Sequence, residues 1–147
     1  MFLVICSFLL LGLVTAEPVT YKDCGSAKGK INSVDLSPCP SEPCYLKKGT
    51  NVSLTVKFTS NEAAPKLTTV VHGILAGVPV PFPVPNPDGC TNSGITCPIA
   101  NGQTYSYTAI LPVLSSYPSV KVVVQWELKD ENTDDVFCFA VPVEIGS

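Results

Sequence analysis

Between residues 52 and 58 the chain alternates. Val52, Leu54, Val56 and Phe58 fall on one side of an extended backbone, and Ser53, Thr55 and Lys57 on the other. The same period of two sets Tyr105, Tyr107, Ala109 and Leu111 against Thr104, Ser106 and Thr108. It also sets Val120, Val122, Val124, Trp126 and Leu128 against Lys121, Gln125 and Glu127. Successive strand side chains point to opposite faces, so this pattern, rich in β-branched and aromatic residues, predicts strands with one buried face. Residues 137–145 read as a strand that is apolar on both faces, residues 67–75 as another, and weaker strands fall near 19–22 and 30–36. The 14 prolines are spread through the chain and argue against long helices. About seven strands separated by turn-forming stretches fit an all-β, immunoglobulin-like β-sandwich in one domain.

One segment breaks the alternation. Gly77-Val78-Pro79-Val80-Pro81-Phe82-Pro83-Val84-Pro85 interleaves apolar residues with prolines. Proline cannot donate to a ladder, which predicts an edge strand or a free extended segment, with Val78, Val80, Phe82 and Val84 on one side. It reads equally as a rigid cover for the core and as an apolar rim around a ligand entrance.

Residues 2–14 are apolar and uncharged, too few for the roughly 20 that a membrane helix needs, and Val14-Thr15-Ala16 offers small residues for cleavage. Residues 1–16 are therefore expected to be a secretory signal peptide and residues 17–147 the domain. Of the seven cysteines, Cys6 leaves with that peptide. The six that remain predict three disulfides, with about 15 connectivities. Local chemistry favours Cys39–Cys44 across a tight turn and Cys90–Cys97 across a Gly- and Asn-containing loop, which leaves Cys24 for Cys138.

Composition excludes more than it assigns. The formal net charge is −3, and all nine basic residues are Lys. Without the bidentate fork of Arg, and with an acidic balance, nucleic acid is an unfavourable partner. Asp130, Glu131, Asp134 and Asp135 read as a solvated hairpin turn lacking the spacing of a calcium loop. His72 is the only imidazole, in Val70-Val71-His72-Gly73-Ile74, with no nucleophile motif beside it. No catalytic triad, zinc site or phosphate loop is written in the chain, so neither an enzyme nor a cofactor is expected. Asn51-Val52-Ser53 is the one glycosylation acceptor. Hydrophobic residues make up 46% of the chain. A sandwich can spend them on closing its sheets or on a gap that an apolar ligand fills.

Several stretches together resemble the lipid-recognition (ML) family of β-sandwiches, in its soluble Niemann–Pick type C cholesterol-transfer branch. They are Lys22-Asp23-Cys24-Gly25-Ser26, Ser37-Pro38-Cys39-Pro40 with Pro43-Cys44, Val70 to Ile74, and the proline-laced segment. Asp88-Gly89-Cys90, Cys97-Pro98-Ile99, Leu111-Pro112-Val113, Tyr117-Pro118-Ser119, Trp126-Glu127-Leu128 and Phe137-Cys138 complete the set. The resemblance covers essentially all of residues 17–147.

It implies a sterol pocket between the sheets, with Phe82, Val113 and Tyr117 as its most sensitive lining. Val80, Pro112, Pro118, Trp126, Val122, Val124, Val71, Leu75, Leu46, Leu54, Leu36, Phe139 and Val141 stand at further wall positions. His72, Gly73, Ile74, Leu75, Gly77 and Val78 match the patch turned toward membranes and a Niemann–Pick type C membrane transporter. The resemblance further implies transport of unesterified cholesterol in the endosome or lysosome lumen, by a secreted protein expected to be monomeric. A family glycosylation site falls where this chain has Thr55, leaving Asn51 as the acceptor. Two other readings are open: a carrier of a glycolipid, fatty acid or pheromone-like ligand, and a lipid-free immune co-receptor or interaction module.

Overall fold

The computed structural model describes residues 18–147, so the expected signal peptide lies outside the described residues. Nine strands form among them: β1 Lys22–Asp23, β2 Gly29–Ser37, β3 Cys44–Lys47, β4 Thr50–Ser60, β5 Thr68–Leu75, β6 Val78–Pro81, β7 Thr104–Val113, β8 Val120–Lys129 and β9 Asp135–Gly146. They build two sheets. One runs β2-β4-β7; the other runs β1-β9-β8-β5-β6, with β3 also on β9. The sandwich expected from the alternation is present.

The extra strands are the short ones. β3 lies parallel to β9, pairing Cys44 with Val143 and Leu46 with Ile145, and β1 pairs Lys22 with Ala140 farther up the same strand. The strand expected near residues 19–22 is instead a single bridge, Pro18 to Asp35, followed by β1. β9 thus has β8 on one side and two short strands on the other, so both of its hydrogen-bonding edges are occupied.

The two sheets face each other through the expected side chains. Val52, Leu54, Val56 and Phe58 of β4 are buried, as are Val122, Val124, Trp126 and Leu128 of β8 and Phe137, Phe139, Val141, Val143 and Ile145 of β9. The core is not uniform along its length. At the end where β4 and β8 finish, Phe137 packs edge-on against Phe58 at 5.2 Å and Tyr107 at 5.7 Å. Tyr107 there shares a buried hydrogen bond of 2.6 Å with the Thr69 hydroxyl. Toward the other end Val, Leu and Ile residues of the two sheets face each other beside Trp126 and Phe139.

Three disulfides join Cys24 to Cys138, Cys39 to Cys44 and Cys90 to Cys97, the pairing expected from the sequence. The proline-laced segment begins as β6, an edge strand. Its register pairs Leu75 with Val78, Gly73 with Val80 and His72 with Pro81, and the Phe82 amide donates to the Val71 carbonyl at 2.9 Å. Inward and outward amides alternate along a strand. Positions 78, 80 and 82 therefore point at β5, and the outward positions 79, 81 and 83 are all proline.

Candidate functional site

The β5–β6 hairpin turns on two residues, Ala76 at φ 51° and Gly77 at φ 80°. Both lie in the left-handed region, as a two-residue turn matched to strand twist requires. The hairpin aims Leu75, Val78 and Val80 to the inner side of the sheet. The chain then runs on to Phe82. From the other sheet the β7–β8 turn, tightened by the Tyr117 amide donating to the Leu114 carbonyl at 3.1 Å, brings Tyr117 to meet it. The two rings sit edge to face, 5.0 Å apart at 74°, a favoured aromatic geometry. Gly73 lies beneath the pair: a Cβ there would meet the Phe82 ring at 3.6 Å, an ordinary contact, and Val122 at 3.3 Å, a tight one. Partial burial raises the Tyr117 hydroxyl above its ordinary pKa, so the ring stays neutral.

Beneath the two rings opens a space of about 140 Å³, lined by Gly73, Leu75, Val80, Pro81, Phe82, Pro83, Tyr117, Pro118, Val120, Val122 and Ile145. Farther in, Leu36, Leu46, Val52, Leu54, Leu111, Val124, Trp126, Phe139, Val141 and Val143 surround about 20 Å³ between the sheets. That is room for about one water, and an apolar cavity of this kind stays dry. The arrangement is a mouth opening toward a nearly closed apolar core.

Most of the expected wall residues are gathered in these two spaces: Leu75, Val80, Phe82, Tyr117, Pro118 and Val122 at the mouth, and Leu36, Leu46, Leu54, Val124, Trp126, Phe139 and Val141 in the depth. Three are not. Val71 and Val113 are buried core, Pro112 is half-buried, and none of them lines either space. Pro81, Pro83, Val120 and Ile145 join the mouth, and Val52, Leu111 and Val143 the depth. Their alternation marked them only as apolar, and strand order decides that they converge.

The expected contact patch divides in the same way. Val78 is 60% exposed, Gly77 is exposed and Ile74 half-buried, but Gly73 is buried under Phe82 and belongs to the mouth. Leu114, in the β7–β8 turn, is also exposed.

His72 is half-buried on the opposite face of the sheet. Its Nδ1 lies 4.0 Å from Glu127 Oε1. Lys129 bridges Glu127 at 3.1 Å and Asp135 at 3.0 Å. Burial would raise Glu127, but its bonds with Asp135 and Lys129 outweigh this and hold it below the usual carboxylate range. Glu127, Asp135 and Cys138 lie close enough to suggest a metal site, yet Cys138 is in a disulfide and Lys129 already neutralises the carboxylates. The acidic turn is less solvated than its composition implies: Asp130 is buried. Asn51 is exposed at the start of β4.

The comparisons agree with this geometry. A family model described as the ML domain matches residues 18–145. NPC intracellular cholesterol transporter 2 of Mus musculus is 50% identical over 144 residues, covering 96% of each chain. The protein of the same name from Danio rerio is 49% identical, covering 97% of this chain and 93% of its own. Among solved structures, a Niemann-Pick type C2 protein from Japanese carpenter ant superposes with a TM-score of 0.82 at 27% identity, covering 87% of this chain and 100% of that one. Chicken MD-1 complexed with lipid IVa shares the fold alone, with a TM-score of 0.58 at 14% identity over 88% and 96% of the two chains. With a family match that leaves out only a few described residues, and half of its aligned residues identical to the mouse protein, the chain belongs to the ML-domain family.

Proposed function

We propose that this protein is a carrier of unesterified sterol, with cholesterol as its cargo, moving it between luminal membranes and a Niemann–Pick type C membrane transporter. The observation that carries the reading is the apolar mouth under the Phe82–Tyr117 pair, continuous in direction with the dry space between the sheets. Kinship at about half identity with proteins named as cholesterol transporters supports it. Each Å² of sterol moved from water into such walls contributes about 25 cal/mol, before association costs are subtracted. The sterol hydroxyl stays at the mouth in contact with water, because burying it unpaired would cost about 1–3 kcal/mol.

A space of about 20 Å³ holds no sterol ring, so cargo enters by parting the sheets at the mouth end. Phe82 and Tyr117 gate that movement. Val113 and Val71 stand behind the walls and would come into contact as the sheets part, whereas Pro112 alternates onto the other face of β7. The docking surface is the β5–β6 hairpin, with Ile74, Leu75, Gly77 and Val78 presented beside His72. Residues 1–16 direct the chain into the secretory route, Asn51 accepts a glycan there, and the protein acts as a monomer in the endosome or lysosome lumen. No step of this function is catalytic.

Titration of a fluorescent sterol against the purified, disulfide-bonded protein tests the reading. Saturable binding near one sterol per chain, displaced by cholesterol, is expected. Absence of binding would overturn the sterol assignment and direct the search to other lipids, starting with mass spectrometry of whatever the native protein carries.

A further inference from the structure

At the end of the sandwich away from the mouth, two carboxyl groups meet. Glu62 follows β4, and Asp130 heads the turn between β8 and β9. Glu62 Oε2 and Asp130 Oδ2 are both buried without a hydrogen-bond partner, and each carboxyl acts directly on the ionisation of the other. Asp130 is 4% exposed. The Asp130 carboxylate and the Glu62 backbone are both held in place. Asp130 Oδ1 accepts the amides of Asn132 at 2.8 Å and Asp134 at 2.9 Å. The Ser60 hydroxyl donates to the Glu62 carbonyl at 2.6 Å and accepts its amide at 3.2 Å.

Two ionised carboxylates facing each other in a buried contact repel and lose hydration together, and an ionised carboxylate only accepts hydrogen bonds. One proton between them turns the contact into a donor and an acceptor, a charge-assisted bond of the short, strong kind. The charged groups facing the pair are Lys28, just before β2, and Glu131 in the turn. Lys28 favours one negative charge on the pair, and Glu131 disfavours two.

We propose that Glu62 and Asp130 share one proton and form a latch, tying the loop after β4 to the β8–β9 turn more tightly in acid than at neutral pH. The electrostatics agree with the geometry. Burial, the bond to Asp130 and the Asp130 charge push the Glu62 carboxyl from 4.5 up to about 7. For Asp130, the bond from Glu62 and the two turn amides overcome the opposing effect of burial and hold it below its ordinary range.

Because Glu62 is raised in the folded state, the native protein holds a proton that the unfolded chain releases between about pH 4.5 and about pH 7. The stabilisation is complete below that window and is lost as pH rises through its upper edge. Asp130, being lowered, acts only at more acid pH. Asp135, raised to about 6 by burial and by Glu127, adds slope of the same sign that both variants keep, so the latch is read from the difference between parent and variants. The inference stands apart from sterol carriage, because the pair lies at the far end from the mouth.

The experiment is denaturant unfolding of the disulfide-bonded protein at about pH 6 and about pH 8, for the parent, Glu62→Gln and Asp130→Asn. The parent's unfolding constant is expected to rise about tenfold or more between the two conditions. Either amide supplies permanently the hydrogen that the shared proton supplies, and Asp130→Asn keeps Oδ1 for the turn amides. Both variants should therefore flatten the slope and be at least as stable as the parent at the higher pH. Slopes parallel to the parent in both variants, or loss of stability at the higher pH in both, would overturn the latch. Sterol titration of the same variants should match the parent, which separates this result from any failure of the carrier reading.

Discussion

At Phe82 a single ring rests on Gly73, faces Tyr117 at 5.0 Å and keeps part of its surface in water. A residue so placed contributes modestly to the fold, because truncating it opens the mouth without leaving a closed cavity. It contributes heavily to any cargo beneath it. For Phe82→Ala we expect a change in unfolding free energy of about 1 kcal/mol or less. Sterol affinity should fall at least about tenfold, since an aromatic pair adds about 0.5–1.5 kcal/mol to the area term. Calorimetry beside a fluorescent sterol titration reads both quantities, and a variant that binds as tightly as the parent would remove Phe82 from the site. Gly73 behaves differently. Its sequence neighbours, an exposed hairpin on one side and His72 on the other, suggested a surface role. It lies instead beneath the Phe82 ring and tight against Val122, relations between segments that no periodicity encodes.

The β6 edge shows how a strand can be oily without being adhesive. Its outward amide positions are 79, 81 and 83, and each is proline, so the free edge offers carbonyls but no donors to a passing strand. Replacing Pro79 and Pro81 together with Val keeps the β propensity and restores two donors. We expect the double variant to form concentration-dependent dimers or larger species, detectable by light scattering, where the parent stays monomeric. A monodisperse variant would show that twist or exposure protects the edge, and the prolines do not. Elements of this size were legible in the sequence to very different degrees. β4, β7 and β8 alternate over seven or more residues, and every inward position named for β4 and β8 is buried except Val120, which is half-buried at the mouth. β3 was invisible because four residues are too few to establish a period, although Cys44 and Leu46 are buried and Tyr45 and Lys47 exposed, and its partner β9 lies about a hundred residues away. The mouth residues Val120 and Ile145 were legible as apolar but not as neighbours, since their meeting depends on the β9-β8 pairing.

Across the whole molecule the two ends differ in kind. One is filled by Phe58, Tyr107, Phe137 and a buried hydroxyl pair; the other opens at the mouth under Phe82 and Tyr117. The Cys24–Cys138 disulfide, with a sequence separation of 114, closes nearly the whole domain and spans neither sheet-to-sheet gap. In the chain-entropy account such a closure contributes about 4–5 kcal/mol. The Cys24→Ala, Cys138→Ala double variant should therefore unfold at much lower denaturant concentration. If it remains folded, its sterol affinity should be little changed, because β1 and β9 lie in the same sheet. A large loss of affinity at unchanged stability would place the bond in the opening motion. The dry 20 Å³ between the sheets carries a consequence for how this chain can change over generations. A mutation that fills that space makes a better protein and a poorer carrier, because cargo must first undo the improvement. One that loosens the wall does the reverse. Selection on Leu54, Val124 and Phe139 thus acts on the difference between two packings, and the most stable sequence for this backbone is not the one that would be inherited.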